Sequence, residues 1–241
     1  MSSPVRIGTA GWSIPRAVAD QFPGHGTGLQ RYVARFDAVE INSSFYRPHR
    51  RATYERWAAS VPAEFRFAVK LPKAVTHDAR LVGSEAVLAR FADEIGGLGD
   101  KRGPVLVQLP PKLAFDAATA GGFFALATGL LGGPIVCEPR HPSWFEAEAD
   151  ALLAGHRVAR VAADPARVPA AAVPGGWTGL AYVRLHGSPR MYWSGYEQEA
   201  LDHWAAIAKA PAWVMFDNTA SGRAAADALA FRALVERSAP R

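Results

Sequence analysis

The 241 residues are 49% hydrophobic and 20% charged, a composition that supports a large core and excludes a disordered chain, a collagen and a small disulfide scaffold. A single cysteine, Cys137, excludes an internal disulfide and a zinc site with several cysteine ligands. The 27 basic and 22 acidic side chains give a formal net charge of +5, which is compatible with a polyanionic partner but does not require one.

Eight short apolar segments have the length and the nearly continuous apolar character of buried parallel strands. In chain order, we predict strands at Val5–Thr9, Ala38–Ile41, Phe65–Val69, Val105–Leu109, Ile135–Cys137, Val158–Ala162, Ala181–Leu185 and Trp213–Phe216.

Helical patterns separate most of these strands. Ser84–Leu98 carries apolar residues at helical spacing, with Ser84 suited to the N-cap and Gly96 marking the end. The Ala, Pro and Gly content of residues Pro165–Gly179 predicts a loop there. Similar helical patterns occur at Leu29–Phe36, Thr53–Val61, Phe145–Leu153, Glu197–Ala208 and Gly222–Val235.

This alternation predicts an α/β fold over residues 1–241, organised as a single TIM-like (β/α)8 barrel with an irregularity after the sixth strand. A doubly wound sheet would alternate in the same way, so the pattern leaves that arrangement open. No composition break divides the chain into domains.

The chain contains no segment that suits a membrane or an export signal. Met1–Arg6 has no apolar signal core. The most apolar stretch, Phe123–Cys137, is interrupted by glycines and is shorter than the roughly 20 residues that span a bilayer. We therefore expect a cytoplasmic protein with no membrane partner.

Polar residues at the strand ends bear on function. In a barrel, ligand groups come from the carboxyl ends of strands, and strand side chains alternate between two faces. Charges facing the helix layer would be buried without water at high cost, so we expect the following residues to point into the barrel mouth. The i and i+2 pairs are Glu40 with Asn42, Glu138 with Arg140, and Arg184 with His186.

We predict Glu40, Glu138 and His186 as catalytic residues, with a glutamate as general base and a histidine as general acid. Lys70, Arg140 and Arg184 suit a phosphate or carboxylate, because the planar guanidinium group can bind two oxygens. The last strand offers either Asp217 or Asn218, of which we include Asn218. The other predicted ligand-binding residues are Thr9, Trp12, Asn42, Tyr46, Gln108, His141 and Asp164.

Other interpretations of these residues stay open. They could form a balanced ion-pair network that closes the barrel mouth. Two glutamates across a barrel also suit glycoside hydrolysis, which would leave the arginines without a purpose. A divalent metal could bind Glu40, Glu138, Asp164 and His186, although nearby cations would compete with it. We predict no cofactor.

A different class of function would be non-catalytic binding of nucleic acid or a nucleotide-like ligand. The basic run Arg47–Arg51 could meet a phosphate backbone, and aromatic residues near the strand ends could stack on a base. A solvated helix start and ordinary loop packing explain the same residues. No protein partner can be inferred.

The strand-end motifs resemble those of the family called domain of unknown function 72, the YecE-like proteins. Glu-Ile-Asn-Ser-Ser-Phe-Tyr at 40–46 and Arg-His-Pro-Ser-Trp at 140–144 are specific together. Two departures are Asp217, where the family usually has Asn, and Pro139, where it usually has Phe. The matching segments are Ile7–Trp12, Val39–Tyr46, Phe65–Lys70, Thr76–His77, Gln108–Pro111, Glu138–Trp144, Tyr182–Gly187 and Phe216–Ala220.

The resemblance covers almost the whole chain and implies a TIM-like barrel with its pocket at these strand ends. It supplies no reaction, because the family is defined by lacking one. The family's barrel is similar to those of endonuclease IV and xylose isomerase-like proteins, which suggests nucleic acid only by fold analogy. The zinc ligands of endonuclease IV are not carried over, because this chain has too few histidines at strand ends.

The sequence therefore predicts an enzyme that uses acid–base chemistry at a barrel mouth, as a hydrolase or a lyase. Its substrate would be an anionic, phosphate-bearing small molecule or a nucleotide-like compound. The alternative is the non-catalytic binder of nucleic acid or of a nucleotide ligand.

Overall fold

The computed structural model describes residues 5–238 as an α/β fold with two mainly parallel sheets. Its strands are β1 (Val5–Thr9), β2 (Ala38–Ile41), β3 (Arg66–Lys70), β4 (Arg102–Gln108), β5 (Ile135–Glu138), β6 (Val158–Arg160), β7 (Ala162–Asp164), β8 (Gly175–Gly176), β9 (Ala181–Leu185) and β10 (Ala212–Phe216). Its helices are α1 (Gly28–Tyr32), α2 (Arg51–Ala59), α3 (Glu85–Gly96), α4 (Ala117–Leu131), α5 (Ala147–Gly155), α6 (Gln198–Ile207) and α7 (Ala224–Ser238).

One sheet has the strand order β1-β10-β9-β7, and the other has the order β2-β3-β4-β5-β6-β8. Every pairing is parallel except that of β8 with β6. An isolated parallel bridge joins Ala10, after β1, to Glu40 of β2. At the other junction, Val161 alone separates β6 from β7. The two sheets thus adjoin one another at both junctions.

The eight predicted strands are present, and the sixth is divided into β6 and β7. The predicted loop after it contains a short 3-10 turn, Pro169–Ala172, and the two-residue strand β8. Helix α4 is absent from the predictions because its sequence is apolar on all sides and contains three glycines, which hides any amphipathic period. Among residues 5–238, no helix is both long enough and apolar enough to cross a membrane.

Alternation along the strands separates two hydrophobic clusters. The larger cluster contains strand residues such as Val39 and Val69 together with the apolar faces of the helices. The smaller cluster includes Ala38, Ala68 and Met215. Several of its members lie two residues before a charged or amide side chain on the same strand or directly after it: Ala38 before Glu40, Ala68 before Lys70, Leu106 before Gln108, Val136 before Glu138, Tyr182 before Arg184 and Met215 before Asp217. The smaller cluster therefore continues into a polar layer at the carboxyl ends of the strands.

Candidate functional site

Arg184, on β9, lies at the centre of this polar layer. Its Nε donates to Glu40 Oε2 at 3.1 Å and its Nη2 to Glu40 Oε1 at 2.7 Å. Its Nη1 donates to Glu138 Oε2 at 2.5 Å, and Nη2 also donates to Asp217 Oδ2 at 2.9 Å. The Arg184 side chain is fully buried, and its guanidinium group is surrounded by three carboxylates. We call Glu40, Lys70, Glu138, Arg140, Arg184, His186 and Asp217 the charged cluster.

His186 bridges two of these carboxylates. Its Nε2 lies 3.0 Å from Glu138 Oε1, and its Nδ1 lies 3.0 Å from Asp217 Oδ2. Burial alone would lower the pKa of His186, but the negative charge of Glu138 and the hydrogen bonds to both carboxylates outweigh burial and raise it. The imidazole is therefore held toward its protonated form, in which both nitrogens donate.

Glu138 and Asp217 remain carboxylates throughout the neutral range. Burial opposes their ionisation, yet the charge of Arg184 and the neighbouring His186 keep the pKa of Glu138 well below its ordinary value. The same two neighbours lower the pKa of Asp217. Glu138 also accepts from Gln108 Nε2 at 3.1 Å and from Arg140 Nη2 at 3.1 Å. A carboxylate stabilised in this way is a weak proton acceptor.

Glu40 is also completely engaged by neighbouring groups. Besides its two bonds from Arg184, it accepts from the hydroxyl of Tyr182 at 2.9 Å, and it is fully buried. Burial and the nearby carboxylate raise the pKa of Tyr182 well above its ordinary value, so this hydroxyl stays a donor. Tyr182 in turn stacks on Trp213, with ring centroids 6.2 Å apart.

Lys70 differs from the other cations of the cluster. Its side chain is buried, and among residues 5–238 no carboxylate oxygen lies within 4 Å of its Nζ. The ammonium group lies 4.2 Å from the centre of the Phe45 ring. Burial, followed by the charge of Arg184, lowers the pKa of Lys70 to about 8 against the opposing charges of Glu40, Glu138 and Asp217. Lys70 is thus poised to exchange a proton close to neutral pH.

The space beside the cluster is small. A cavity of about 20 Å³ is lined by Glu138, Arg140 and His186 together with Arg167 and Met191. This volume accommodates about one water molecule. The segment after β9 covers the opening: the backbone N–H of Tyr192 donates to His186 O at 2.5 Å, and its ring meets the His186 ring edge-on.

Three predicted ligand-binding residues face the helix layer instead of this cavity. Thr9, Asp164 and Asn218 lie two residues after Ile7, Ala162 and Phe216, which belong to the larger hydrophobic cluster. The hydroxyl of Thr9 donates to Gly11 O at 2.5 Å, Asp164 Oδ2 accepts from Tyr196 at 2.9 Å, and Asn218 Nδ2 donates to Asp227 Oδ2 at 2.6 Å. All three side chains therefore point toward the helix layer, and the expectation that they point into the barrel mouth is corrected.

The other predicted residues lie in the loops after the strands. Asn42 follows β2 and has a buried Oδ1 without a hydrogen-bond partner in the described part of the chain. Trp12 packs edge-on against Trp57 at 5.1 Å, and Tyr46 is exposed. His141 Nδ1 lies 2.8 Å from Ser143 Oγ, where it caps the turn that follows. None of these four contacts the charged cluster through a hydrogen bond or ion pair among residues 5–238.

The residues considered for a metal do not fit one. The Arg184 guanidinium fills the space between Glu40 and Glu138, and Asp164 faces the helix layer. Within the described part of the chain, no group of three or more His, Cys, Asp or Glu side chains is arranged to hold a metal ion.

The basic run at Arg47–Arg51 is partly neutralised. Arg51 contacts Glu55 at 3.1 Å and Asp93 at 2.9 Å, and His49 Nε2 lies 2.8 Å from Ser43 Oγ. Arg47 and Arg50 are exposed. Arg51 is exposed as well but ion-paired, so Arg47 and Arg50 are the two arginines of the run that form no ion pair among residues 5–238.

Asp217 is the main residue that the predicted site omits. Its carboxylate contacts both Arg184 and His186, whereas the neighbouring Asn218 faces away from them. The alternation of side chains along β10 could have identified Asp217. Trp213 and Met215 belong to the smaller cluster, so the next residue on that face is Asp217. The same alternation along β9 places Tyr182, which donates to Glu40, on the face that also carries Arg184.

The family model described as "Protein of unknown function DUF72" matches residues 6–241. UPF0759 protein YecE of Escherichia coli strain K12 is 28% identical over 142 residues, which is 58% of this chain. That match spans only 50% of the length of the curated relative.

Two solved structures of DUF72 family proteins have a similar fold. The one from Enterococcus faecalis V583 superimposes with a TM-score of 0.81 at 19% identity, covering 97% of this chain and 96% of that one. The one from Thermotoga maritima MSB8 superimposes with a TM-score of 0.79 at 24% identity, covering 96% of this chain and 99% of that one. At these identities the likeness concerns the fold alone.

Proposed function

The chain belongs to the DUF72 family of proteins of unknown function, and from the charged cluster we propose that it is an enzyme acting by acid–base chemistry. The substrate class is an anionic, phosphate-bearing small molecule or a nucleotide-like compound, and the reaction is a hydrolysis or an elimination. The observation that carries this proposal is Lys70, a buried ammonium group without a carboxylate partner within 4 Å among residues 5–238. A structural ion-pair network has no need of such a group.

In this proposal Lys70 and His186 move protons, and the carboxylates hold His186 and Arg184 in position. With a pKa of about 8, Lys70 is partly a neutral amine near neutral pH and can accept a proton from the substrate. Both nitrogens of His186 donate to carboxylates, so in this proposal the imidazolium gives a proton to a leaving oxygen only when that oxygen replaces Glu138 Oε1 at Nε2. Glu138 and Glu40, which the sequence suggested as bases, become positioning residues, because their oxygens already accept several hydrogen bonds.

Substrate binding falls to Arg140 rather than Arg184. Arg184 is fully buried, and among residues 5–238 four of its five N–H groups donate to carboxylates, so its charge is already neutralised. The Arg140 side chain is 15% exposed and lines the small cavity. Gln108 donates a hydrogen bond to Glu138, the carboxylate that Arg140 also contacts. A planar guanidinium group at this edge suits a phosphate or carboxylate group.

Admission of a substrate requires the covering segment to move. Met191 and Tyr192 lie over His186 on the stretch that follows β9, and the present cavity holds about one water molecule. Such loops commonly close over substrates and exclude water. We expect residues 187–194 to open when substrate binds.

We also propose that the two sheets close into a single barrel and that residues 1–241 form one domain. Gly11 N donates to Glu40 O at 2.8 Å across the first junction, and Val161 N donates to Cys137 O at 2.8 Å beside the second. Ion pairs from Arg184 of one sheet to Glu40 and Glu138 of the other support closure from inside. A closed barrel would gather all the strand ends at one mouth.

Proton abstraction can be tested without knowing the product. The protein is incubated in deuterated water with a panel of sugar phosphates, phosphorylated acids and nucleoside monophosphates, and mass spectrometry detects deuterium uptake or a new product. We expect at least one compound to react with the wild-type protein and not with Lys70→Met. If no compound reacts, or if Lys70→Met reacts equally well, the proposal is wrong.

A further inference from the structure

A second cavity, of about 580 Å³, lies at the opposite end of the strands from the charged cluster. Arg66 and Arg102 are the first residues of β3 and β4, and Arg6 and Trp213 are the second residues of β1 and β10. Its volume is in the range of small-molecule sites. Arg6, Arg66, Arg102, Arg157, Trp177 and Trp213 line it, and we call them the arginine pocket.

The pocket holds an excess of positive charge. Among residues 5–238, the only ion pair formed by its arginines joins Arg6 Nη1 to Asp37 Oδ2, at 3.9 Å. Other bonds go to backbone carbonyls: Arg6 Nη1 donates to Glu64 O at 3.0 Å, and Arg66 Nη1 donates to Ala63 O at 2.6 Å. Carbonyl oxygens orient guanidinium groups without neutralising them. Burial lowers the pKa of Arg6 and of Arg102, and the charge of Arg66 adds to this effect at Arg6.

The carbonyl bonds also leave donors available. The structure records no protein partner for Nη2 of Arg6 or of Arg66 within the described part of the chain. The guanidinium group of Arg157 lies 5.0 Å from the centre of the Trp177 ring. An anion entering the cavity would therefore meet oriented N–H groups beside an aromatic face.

Glycines leave room for the two tryptophan rings. A Cβ at Gly103 would collide with the ring of Trp213, and a Cβ at Gly179 would collide with the ring of Trp177. Trp213 is buried and stacks on Tyr182, so its ring is fixed in place. The pocket thus combines aromatic surface with several guanidinium groups.

We propose that the arginine pocket binds a mononucleotide-sized ligand that carries a phosphate group and an aromatic ring. The arginines would hold the phosphate, and a tryptophan ring would stack on the base. This site lies at the opposite end of the strands from the charged cluster, and because a mononucleotide also falls in the substrate class proposed there, Lys70→Met is used below to distinguish the two sites. The same arginines could serve only to cap backbone carbonyls, and the binding experiment distinguishes the two roles.

The probe is adenosine 5′-monophosphate, measured by calorimetry and by quenching of tryptophan fluorescence. We expect binding with Kd of about 1 mM or tighter, and weaker binding of adenosine and of inorganic phosphate, because each supplies one half of the contacts. The double variant Arg66→Gln/Arg157→Gln should bind about tenfold more weakly. Arg157→Gln alone, which removes an exposed side chain, is the second variant if the double variant unfolds.

The matched control is Arg47→Gln/Arg50→Gln, which removes two exposed positive charges elsewhere and should leave binding unchanged. Lys70→Met should also bind normally, since Lys70 belongs to the opposite end. Absence of binding, equal loss in both double variants, loss of binding in Lys70→Met, or binding of single-stranded oligonucleotides but not of the mononucleotide would each overturn the proposal.

Discussion

Arg184 holds Glu40 through two hydrogen bonds, 3.1 Å from Nε to Oε2 and 2.7 Å from Nη2 to Oε1, and these bonds connect strands of different sheets. Both side chains are fully buried. Arg184 also donates to Glu138 and Asp217, so this one cation forms ion pairs with three carboxylates. Stability and protonation in the charged cluster therefore depend on one another.

Removal of Arg184 should strongly destabilise the protein. Arg184→Ala would leave three buried carboxylates without their shared cation, and breaking buried ion pairs in this way costs about 3–5 kcal/mol. Urea denaturation measures the free energy of unfolding. The control Arg90→Ala, whose exposed side chain pairs with Glu94, should lose far less. Equal losses in the two variants would contradict a stabilising role for Arg184.

Lys70 should make stability depend on pH in a defined direction. Its pKa falls from 10.5 in the unfolded chain to about 8 in the fold, so the folded protein releases the proton first as pH rises. The penalty for burying the ammonium group is complete below about pH 8 and is lost toward pH 10.5. Lys70→Met removes this penalty, so its stability advantage over the wild type should shrink with rising pH by about 3 kcal/mol.

The measurement for Lys70 is the free energy of unfolding at several pH values for both proteins. Lys73→Met removes an exposed lysine nearby and controls for the loss of one positive charge. A difference between wild type and Lys70→Met that stays constant with pH would show that Lys70 has its ordinary pKa.

Asp217→Asn should lower the pKa of His186. The wild-type imidazolium stabilises the fold fully below its unfolded pKa of 6.5, and this contribution is lost as pH rises through the raised folded pKa. The substitution removes a negative charge 3.0 Å from Nδ1, so the contribution should be smaller and its loss should be complete at a lower pH. The His186 ring-proton signal in an NMR titration gives the midpoint directly.

Asp227→Asn is the matched control for Asp217. Asp227 is also a buried acid, but its carboxylate contacts Asn218. A His186 midpoint unchanged by Asp217→Asn, or shifted equally by Asp227→Asn, would contradict the pairing.

Gly8→Ala should disrupt the junction between β1 and β2. A Cβ at Gly8 would collide with the backbone carbonyl of Ala38, which has little freedom to move inside a strand. We expect a loss of about 1–3 kcal/mol in the free energy of unfolding, as for other overpacked interiors. Gly129→Ala in helix α4 meets open space and should be neutral or stabilising. Thermal unfolding of both variants would test this, and equal effects would contradict the close approach.

Strand positions were predictable because continuous apolar segments mark buried parallel strands, and Val5–Thr9, Ala38–Ile41 and Ala181–Leu185 agree with the structure at both ends. Helix α4 escaped prediction because its sequence is apolar on its exposed as well as its buried face, which hides the amphipathic period. Thr9 and Asp164 were expected at the mouth because they end strands, but their positions in the two-residue period assign them to the helix layer.

The α/β alternation, the family and the charged residues at strand ends could be predicted from the sequence, and those residues are Glu40, Lys70, Glu138, Arg184 and His186. How these charges act on one another follows only from the fold. Arg184 is expected from its residue type to hold an anionic ligand, yet it is neutralised by Glu40 and Glu138 of the other sheet and by Asp217 after the neighbouring strand β10. The reason is that charge interactions depend on distances of a few ångströms between residues far apart in the chain, which local patterns do not contain.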